Sequence, residues 1–255
     1  MVQVTDPQRT DVLEQGTIYF MYRPKVDEDA PEGVGDVERF FIALHPDASR
    51  LYRLIAIGGK RAPEIERHER SWGFVDLVTD DPAKIEEALA EVQYETKTRG
   101  TRTQPAARPA GQGAYAIAKV EDSGMHLVYA LEMPERSDEV QRGLRIAPEA
   151  SFALSIKNPE KGSPQPTGLS EDRQAQYPER LQKLFRDRQF DQEHPQLLDH
   201  AGAEIVLIGA RTDPEEYGIE LEPADEEEHT ADILKDLRMS KSRHPIEPLI
   251  KGEWR

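Results

Sequence analysis

Alternating apolar and polar positions recur along the chain and predict β-strands with one buried face. Phe152, Leu154 and Ile156 fall on one side of such a segment, and Ser151 and Ser155 fall on the other. The same pattern, or a short apolar run, predicts eight strands at residues 17–22, 39–44, 51–57, 73–79, 114–120, 126–132, 151–157 and 204–208. Because most of the connections are turns or short loops, we expect antiparallel pairing.

Helices are fewer, and their start signals are clear. Asp81 followed by Pro82 is an N-cap with proline at the first helical position, and apolar residues then recur at helical spacing over residues 82–92. Similar reasoning predicts helices at 178–188 and 230–239 and a short one at 138–144. The predicted fold class is therefore α+β: a largely antiparallel β-sheet with a few peripheral helices packed on one face or at the ends.

Two stretches rich in Gly, Pro, Thr, Ser and Gln interrupt the pattern, at residues 98–113 and 161–172. They suggest an N-terminal α+β subdomain over 1–98, a flexible basic loop or linker over 99–113, and a C-terminal α+β subdomain over 114–255. A single domain remains the alternative, because 255 residues are compatible with either organisation.

Composition removes several classes of chemistry. The chain has no cysteine, which excludes disulfides, thiol nucleophiles and thiolate metal sites. It has 49 acidic against 33 basic residues, for a formal charge of −16, which fits either salt adaptation or an ordinary acidic protein. No long apolar run or signal-peptide pattern is present, so the expectation is a cytoplasmic protein that makes no membrane contact. No motif implies a cofactor.

One segment runs against the acidic composition. Lys97, Arg99, Arg102 and Arg108 fall within twelve residues that contain no acid, among threonines and glycines. Cations beside hydroxyl and backbone donors are typical of loops that bind anions or nucleic acid. A solvated loop whose charges relieve repulsion on an acidic surface is the competing interpretation.

A second cationic candidate is Lys60 and Arg61, which follow two glycines directly after a predicted strand. Glycines let a backbone approach a phosphate, and basic side chains neutralise it. The spacing matches neither a Walker loop nor a dinucleotide fingerprint. A hairpin turn is the alternative.

The remaining candidates carry less information. The seven histidines show no metal-binding spacing, so no metal site is predicted. The cations of the 178–188 helix, and the ten acids between Asp213 and Asp232, are both explained by solvated faces. Trp72 and Tyr94, near the two basic loops, are candidates either to stack on a base or to fill the core.

These observations favour a non-catalytic binding protein that presents a cationic loop to an anionic ligand, either a nucleotide or a single-stranded nucleic acid. The site residues are Lys60, Arg61, Lys97, Arg99, Arg102 and Arg108. One alternative is a hydrolase, such as a phosphate-ester-processing enzyme, that uses the same cations with a histidine as base. Another is a structural or protein-interaction module. The sequence assigns no catalytic residue and no oligomeric state.

Overall fold

The computed structural model describes residues 2–4, 10–98, 100–162, 168–211, 213–221, 236–239 and 243–254. Its strands are β1 (Val2–Val4), β2 (Thr10–Pro24), β3 (Val37–Pro46), β4 (Tyr52–Ile57), β5 (Arg70–Thr79), β6 (Val92–Thr96), β7 (Gly100–Gln104), β8 (Arg108–Val120), β9 (Gly124–Met133), β10 (Glu149–Lys157), β11 (Phe190–Asp191), β12 (Glu204–Arg211) and β13 (Ile219–Leu221). The helices within this part of the chain are α1 (Pro82–Leu89), α2 (Glu139–Leu144), α3 (Glu179–Gln182) and α4 (Glu247–Ile250). Five 3-10 turns lie at Val34–Asp36, Glu171–Arg173, Lys183–Phe185, Pro195–Asp199 and Pro214–Tyr217.

The main sheet closes into a barrel. Its hydrogen-bonded order is β10-β12-β5-β4-β3-β2-β8-β9, and β9 pairs with β10 again to complete the ring of eight strands. All these pairs are antiparallel. The barrel consists of two four-stranded meanders, one on either side of residues 80–107, whose first strands pair with each other and whose last strands do the same.

The predicted α+β class is wrong, although the antiparallel sheet and all eight predicted strands are confirmed. The closed barrel is the architecture, and the longest helix in the described residues has only eight residues. The predicted 178–188 helix is a four-residue helix followed by a 3-10 turn. Most of the predicted 230–239 helix lies outside the described residues.

The barrel interior is filled by side chains, as is usual for eight strands. The inward positions form one apolar cluster with a large aromatic share, including Phe20, Phe40, Tyr115, Tyr129 and Phe152, all with 0 % exposure. Two aromatic contacts that share the Tyr129 ring cross this interior, one with Phe20 and one with Phe152. The barrel is therefore a packed core.

Parts of the outer surface are covered as well. Ile85 and Leu89 of α1, with Leu249 of α4, pack on the outer face of β2, β3 and β4. Because α1 and α4 pack on this outer face, all six residues of β4 are buried. Alternation predicts one exposed face for such a strand. Two pairs of strands in the described residues, β6 with β7 and β1 with β13, form small sheets of their own outside the barrel sheet.

Candidate functional site

The predicted cationic loop is largely a β-hairpin, which we call the arm: β6 and β7 with their connecting turn. These two strands form their own two-stranded antiparallel sheet, in which Tyr94 lies opposite Arg102 and Val92 lies opposite Gln104. The helical spacing of residues 82–92 predicts that Val92 lies on the face of a helix. The helix ends at Leu89, because Ala90 is extended, so Val92 begins a strand instead.

The two faces of the arm differ in chemistry, because successive side chains on a strand point to opposite sides. One face carries Val92, Tyr94 and Arg102, and no acid. The other carries Glu95, whose carboxylate accepts a hydrogen bond from the Thr101 hydroxyl. Alternation in the arm thus separates an apolar and cationic face from a polar and acidic one.

The apolar face of the arm is open to solvent. Val92 is 49 % exposed and Tyr94 is 42 % exposed, and these are the two large hydrophobic side chains that are exposed in the described part of the chain. Tyr94 therefore does not fill the core, which was the alternative interpretation from sequence. Exposed aromatic rings of this kind are available for stacking on a ligand.

Asp27, in the loop between β2 and β3, anchors the arm to the barrel. Its backbone N–H donates to the Thr103 carbonyl at 2.8 Å, and its carboxylate accepts the Thr103 N–H at 2.8 Å. The same carboxylate forms an ion pair with Arg102. The Gln104 amide adds a hydrogen bond of 2.9 Å to the Pro24 carbonyl. These contacts fix the base of the arm and partly neutralise Arg102.

The tip of the arm carries the exposed Lys97. The turn is closed by a hydrogen bond of 3.0 Å from the Thr96 hydroxyl to the Gly100 carbonyl, and Gly100 adopts a left-handed φ of 68°, which glycine tolerates without strain. Arg99 lies outside the described residues. Lys97 and Arg102 are thus the predicted cations that the structure places on the arm.

Arg108 has different surroundings. It is 5 % exposed at the start of β8, and its guanidinium donates to the carbonyls of Trp254 at 3.0 Å and Asp29 at 2.6 Å. These bonds tie the C-terminal segment and the β2–β3 loop to the barrel. Burial, opposed by the neighbouring Arg108 charge, raises the pKa of Tyr22 to about 12.

Lys60 and Arg61 lie in the β4–β5 connection, outside the arm. The Lys60 ammonium donates to the Gly35 carbonyl at 3.3 Å. Both cationic segments therefore contact the β2–β3 loop, one at Asp27 and the other at Gly35. That loop carries five acids of its own between residues 25 and 36. The five predicted site residues that the structure describes lie in three places: Lys97 and Arg102 on the arm, Arg108 buried at the start of β8, and Lys60 and Arg61 in the β4–β5 connection.

Sequence reasoning missed a buried charge cluster at the opposite end of the barrel. Arg53, 2 % exposed, donates to both oxygens of Glu14 at 2.6 and 2.8 Å and to Asp199 at 2.8 Å. The Tyr115 hydroxyl donates to Glu14 at 2.8 Å. Burial, followed by the Glu14 charge, raises the pKa of Tyr115 well above its usual value, so this hydroxyl remains a donor. The only signal in the sequence was an arginine inside an apolar strand.

The cluster beside Arg53 is saturated by its own members. A groove of about 450 Å³ runs past it, lined in part by Leu13, Asp47 and Gln196. The guanidinium, however, is already held by two carboxylates, which connect β2, β4 and the turn Pro195–Asp199. We interpret the cluster as a structural contact that holds these three segments together, and we call it the bracket.

Three histidines form hydrogen bonds within the fold. His194 Nδ1 lies 2.9 Å from the buried carboxylate of Asp191, and His244 Nδ1 lies 2.8 Å from the Ala107 carbonyl. His68 Nδ1 lies 2.9 Å from the Gly209 carbonyl. Among the residues that the structure describes, no group of three or more His, Asp or Glu side chains is arranged to hold a metal ion.

Within the same described ranges, no helix has the length and apolar character needed to cross a membrane.

Comparisons of the chain with protein-family models, with curated proteins and with solved structures find no match.

Proposed function

We propose that this protein is a non-catalytic binding protein that contacts an anionic ligand, a nucleotide or a single-stranded nucleic acid, through the cationic face of the arm. The observation that carries the proposal is the exposed ring of Tyr94 directly opposite Arg102, on a face to which the arm itself contributes no acid. An aromatic surface beside cations suits a ligand that combines bases with phosphates.

The filled barrel supports a surface site. Its interior aromatic residues are fully buried, so the barrel leaves little room for a small molecule to enter, unlike larger ligand-carrying barrels. A ligand therefore has to bind outside it. The arm offers side chains that the fold has left unburied, whereas the cations of Arg53 and Arg108 are consumed by internal contacts.

Asp27 limits how tightly the arm can bind an anion. It already pairs with Arg102, so a phosphate must share that guanidinium with a carboxylate. The formal charge of −16 also repels anions at long range. We therefore expect weak binding that depends strongly on salt.

The test measures binding of a short labelled oligothymidylate by fluorescence anisotropy at 50 and 200 mM salt. Contacts from Lys97, Arg99 and Arg102 to a single strand predict a log–log slope of roughly −2, or about a 20-fold loss of affinity across that range. Lys97→Gln with Arg99→Gln should remove most of that salt dependence. Absence of salt-sensitive binding by the wild type would refute the proposal.

Matched variants separate stacking from charge. Tyr94→Ala should weaken binding by about 1–3 kcal/mol, whereas Tyr94→Phe, which keeps the ring, should bind like the wild type. Lys60→Gln with Arg61→Gln removes the same charge at the other cationic segment and should leave affinity nearly unchanged. If that second pair weakens binding as much as the tip pair, the effect is one of net charge and the arm is not the site.

Asp27→Asn provides a test in the opposite direction. Asparagine retains the size and an oxygen acceptor for the Thr103 N–H, but it frees the Arg102 charge. We expect affinity for the oligonucleotide to rise several-fold. A loss of affinity with an intact arm would show that Arg102 does not contact the ligand.

A further inference from the structure

A separate small sheet lies on the outside of the barrel, far along the chain from the arm. Its two strands are β1 and β13, and the turn Pro214–Tyr217 leads into β13. We call residues 213–221 and β1 the cover. The cover packs on the outer faces of β8 and β9, with Ile219 and Leu221 against a cluster that includes Ala118 and Val128.

The cover is attached differently from the barrel strands. Its two strands form a sheet of their own, not hydrogen-bonded into the barrel sheet. Side chains hold it in place: the Thr10 hydroxyl donates to the Tyr217 carbonyl at 2.5 Å, and the Tyr217 ring lies on His126 with centroids 4.7 Å apart. Elements attached in this way open at lower free-energy cost than the core.

His126, on β9, is trapped under this cover. It is 2 % exposed, its Nε2 lies 2.8 Å from the Ser123 hydroxyl oxygen, and its buried Nδ1 has no hydrogen-bond partner. A neutral imidazole has a single N–H donor, which needs one acceptor, and its second nitrogen is an acceptor that can remain without a partner. An imidazolium has two N–H donors, so a protonated His126 would leave one charged donor buried without an acceptor.

The charged groups around His126 do not relieve this cost. The Arg211 guanidinium lies 5.7 Å from the centre of the Tyr217 ring and forms an ion pair with Glu216. Burial lowers the pKa of His126, a hydrogen bond to the Ser123 backbone opposes that shift, and the Arg211 charge adds to it. The closed cover therefore disfavours the protonated ring.

Acids at the rim of the cover act in the other direction. Burial, together with the charges of Asp213 and Glu215, raises the pKa of Glu149. Glu149 therefore takes up a proton more readily when the cover is closed, which stabilises the closed form as the pH falls towards the ordinary value of a glutamate. The two effects separate, because an exposed histidine titrates near 6.5 and a glutamate about two pH units lower.

We propose that the cover is an acid-sensitive flap, which is released from β8 and β9 when His126 takes up a proton. In the open form His126 meets water and titrates at its ordinary value. The opening constant therefore rises as the pH falls through about 6.5, by at most about tenfold per pH unit for one proton, and levels off below the value of the closed form. Opening exposes the apolar outer face of β8 and β9.

Hydrogen exchange measured by mass spectrometry on the full chain tests this inference. Rates are expressed relative to the intrinsic chemical rate at pH 7.5 and at pH 5.5. We expect protection of peptides from 213–221 to fall about tenfold at the lower pH, while peptides from β3 and β4 keep theirs. Unchanged protection of the wild-type cover at pH 5.5 would overturn the proposal without any variant.

His126→Gln supplies an uncharged side chain of similar reach, and it should make cover protection equal at both pH values. His45→Gln is the matched control, since His45 stacks on Tyr52 of β4, and it should retain the wild-type response. A persistent pH response in His126→Gln also contradicts the flap. If that variant does not fold, an NMR titration of the wild-type His126 ring decides: the ring of the closed protein must take up its proton at the pH where the rise in cover exchange levels off, and a mismatch between these two pH values refutes the coupling.

Discussion

The barrel and the arm contain the same kinds of residue, but the barrel buries them and the arm exposes them. In the barrel, Leu154 is 2 % exposed and Arg53 is enclosed by two carboxylates. In the arm, Val92 is half exposed, and Arg102 pairs with a single carboxylate, that of Asp27, which is partly exposed to solvent. The apolar and charged side chains of the barrel contact one another, whereas those of the arm remain exposed to solvent. This contrast locates the proposed site.

The largest difference should appear when an acid replaces an aliphatic residue in each region. Leu154→Asp places an unpaired charge in the barrel core and should cost more than about 4 kcal/mol, enough to unfold a domain of ordinary stability. Val92→Asp, on the exposed face of the arm, should change stability by about 0.5 kcal/mol or less. Urea denaturation followed by circular dichroism measures both. Similar losses for the two variants would mean that the arm is packed like the barrel.

The two ion pairs provide a second comparison. Arg53→Met leaves Glu14 and Asp199 without their cation in a buried site, and we expect a loss of about 3–5 kcal/mol. Arg102→Met removes a partly exposed partner of Asp27, where screening by solvent limits the loss to about 1 kcal/mol or less. The free energies of unfolding of both variants test this ranking. A reversed order would show that the arm contact, not the bracket, holds the fold.

A smaller effect is expected at the barrel end near the β9–β10 connection. The Glu69 carboxylate accepts the Glu64 N–H at 2.9 Å and pairs with Arg145. The backbone hydrogen bond from Glu64, partly opposed by burial and supported by Arg145, lowers the pKa of Glu69. Its stabilising contribution is therefore present above the ordinary pKa of a glutamate and is lost as the pH falls below that value towards the lowered one.

Glu69→Gln should accordingly flatten the stability profile between about pH 5 and pH 3 by a few tenths of a kcal/mol, because the group is half exposed. Thermal unfolding at pH 3 and at pH 7 measures the difference. Arg145→Gln removes the same ion pair and should flatten the profile in the same sense. An unaltered pH profile in both variants would contradict the assignment of this acid-sensitive contribution to Glu69.

The positions of the strands follow from the sequence, whereas the way in which the strands pair does not. All eight barrel strands were predictable, because alternation along a strand is a local signal. The fold class was not, because closure depends on β9 pairing with β10 and on β5 pairing with β12, and the register of such pairs is not encoded within either strand alone. The helix after Pro178 is shorter than predicted, because a 3-10 turn replaces it from Lys183 and that turn ends at Arg186, which has a left-handed φ of 49°.

The candidate site shows the same division. Cation clustering drew attention to the segment that contains the arm, and it grouped Arg108 with Lys97 and Arg102. Arg108 reaches a carbonyl 146 residues away, and nothing near it in the sequence indicates that partner. Conversely, Val92 and Tyr94 alternate with Gln93 and Glu95, a strand signal that was obscured by the preceding helix pattern.

The sequence by itself determined where the strands lie, the absence of thiol chemistry, the acidic charge and the cationic character of residues 97–108. Only the tertiary structure decided that the sheet closes, which arginines are consumed by internal hydrogen bonds, and that Tyr94 remains exposed. The physical reason is that alternation and charge are properties of neighbouring residues. Burial, in contrast, is set by contacts between segments far apart in the chain, and it determines which of those charges and rings remain available to a ligand.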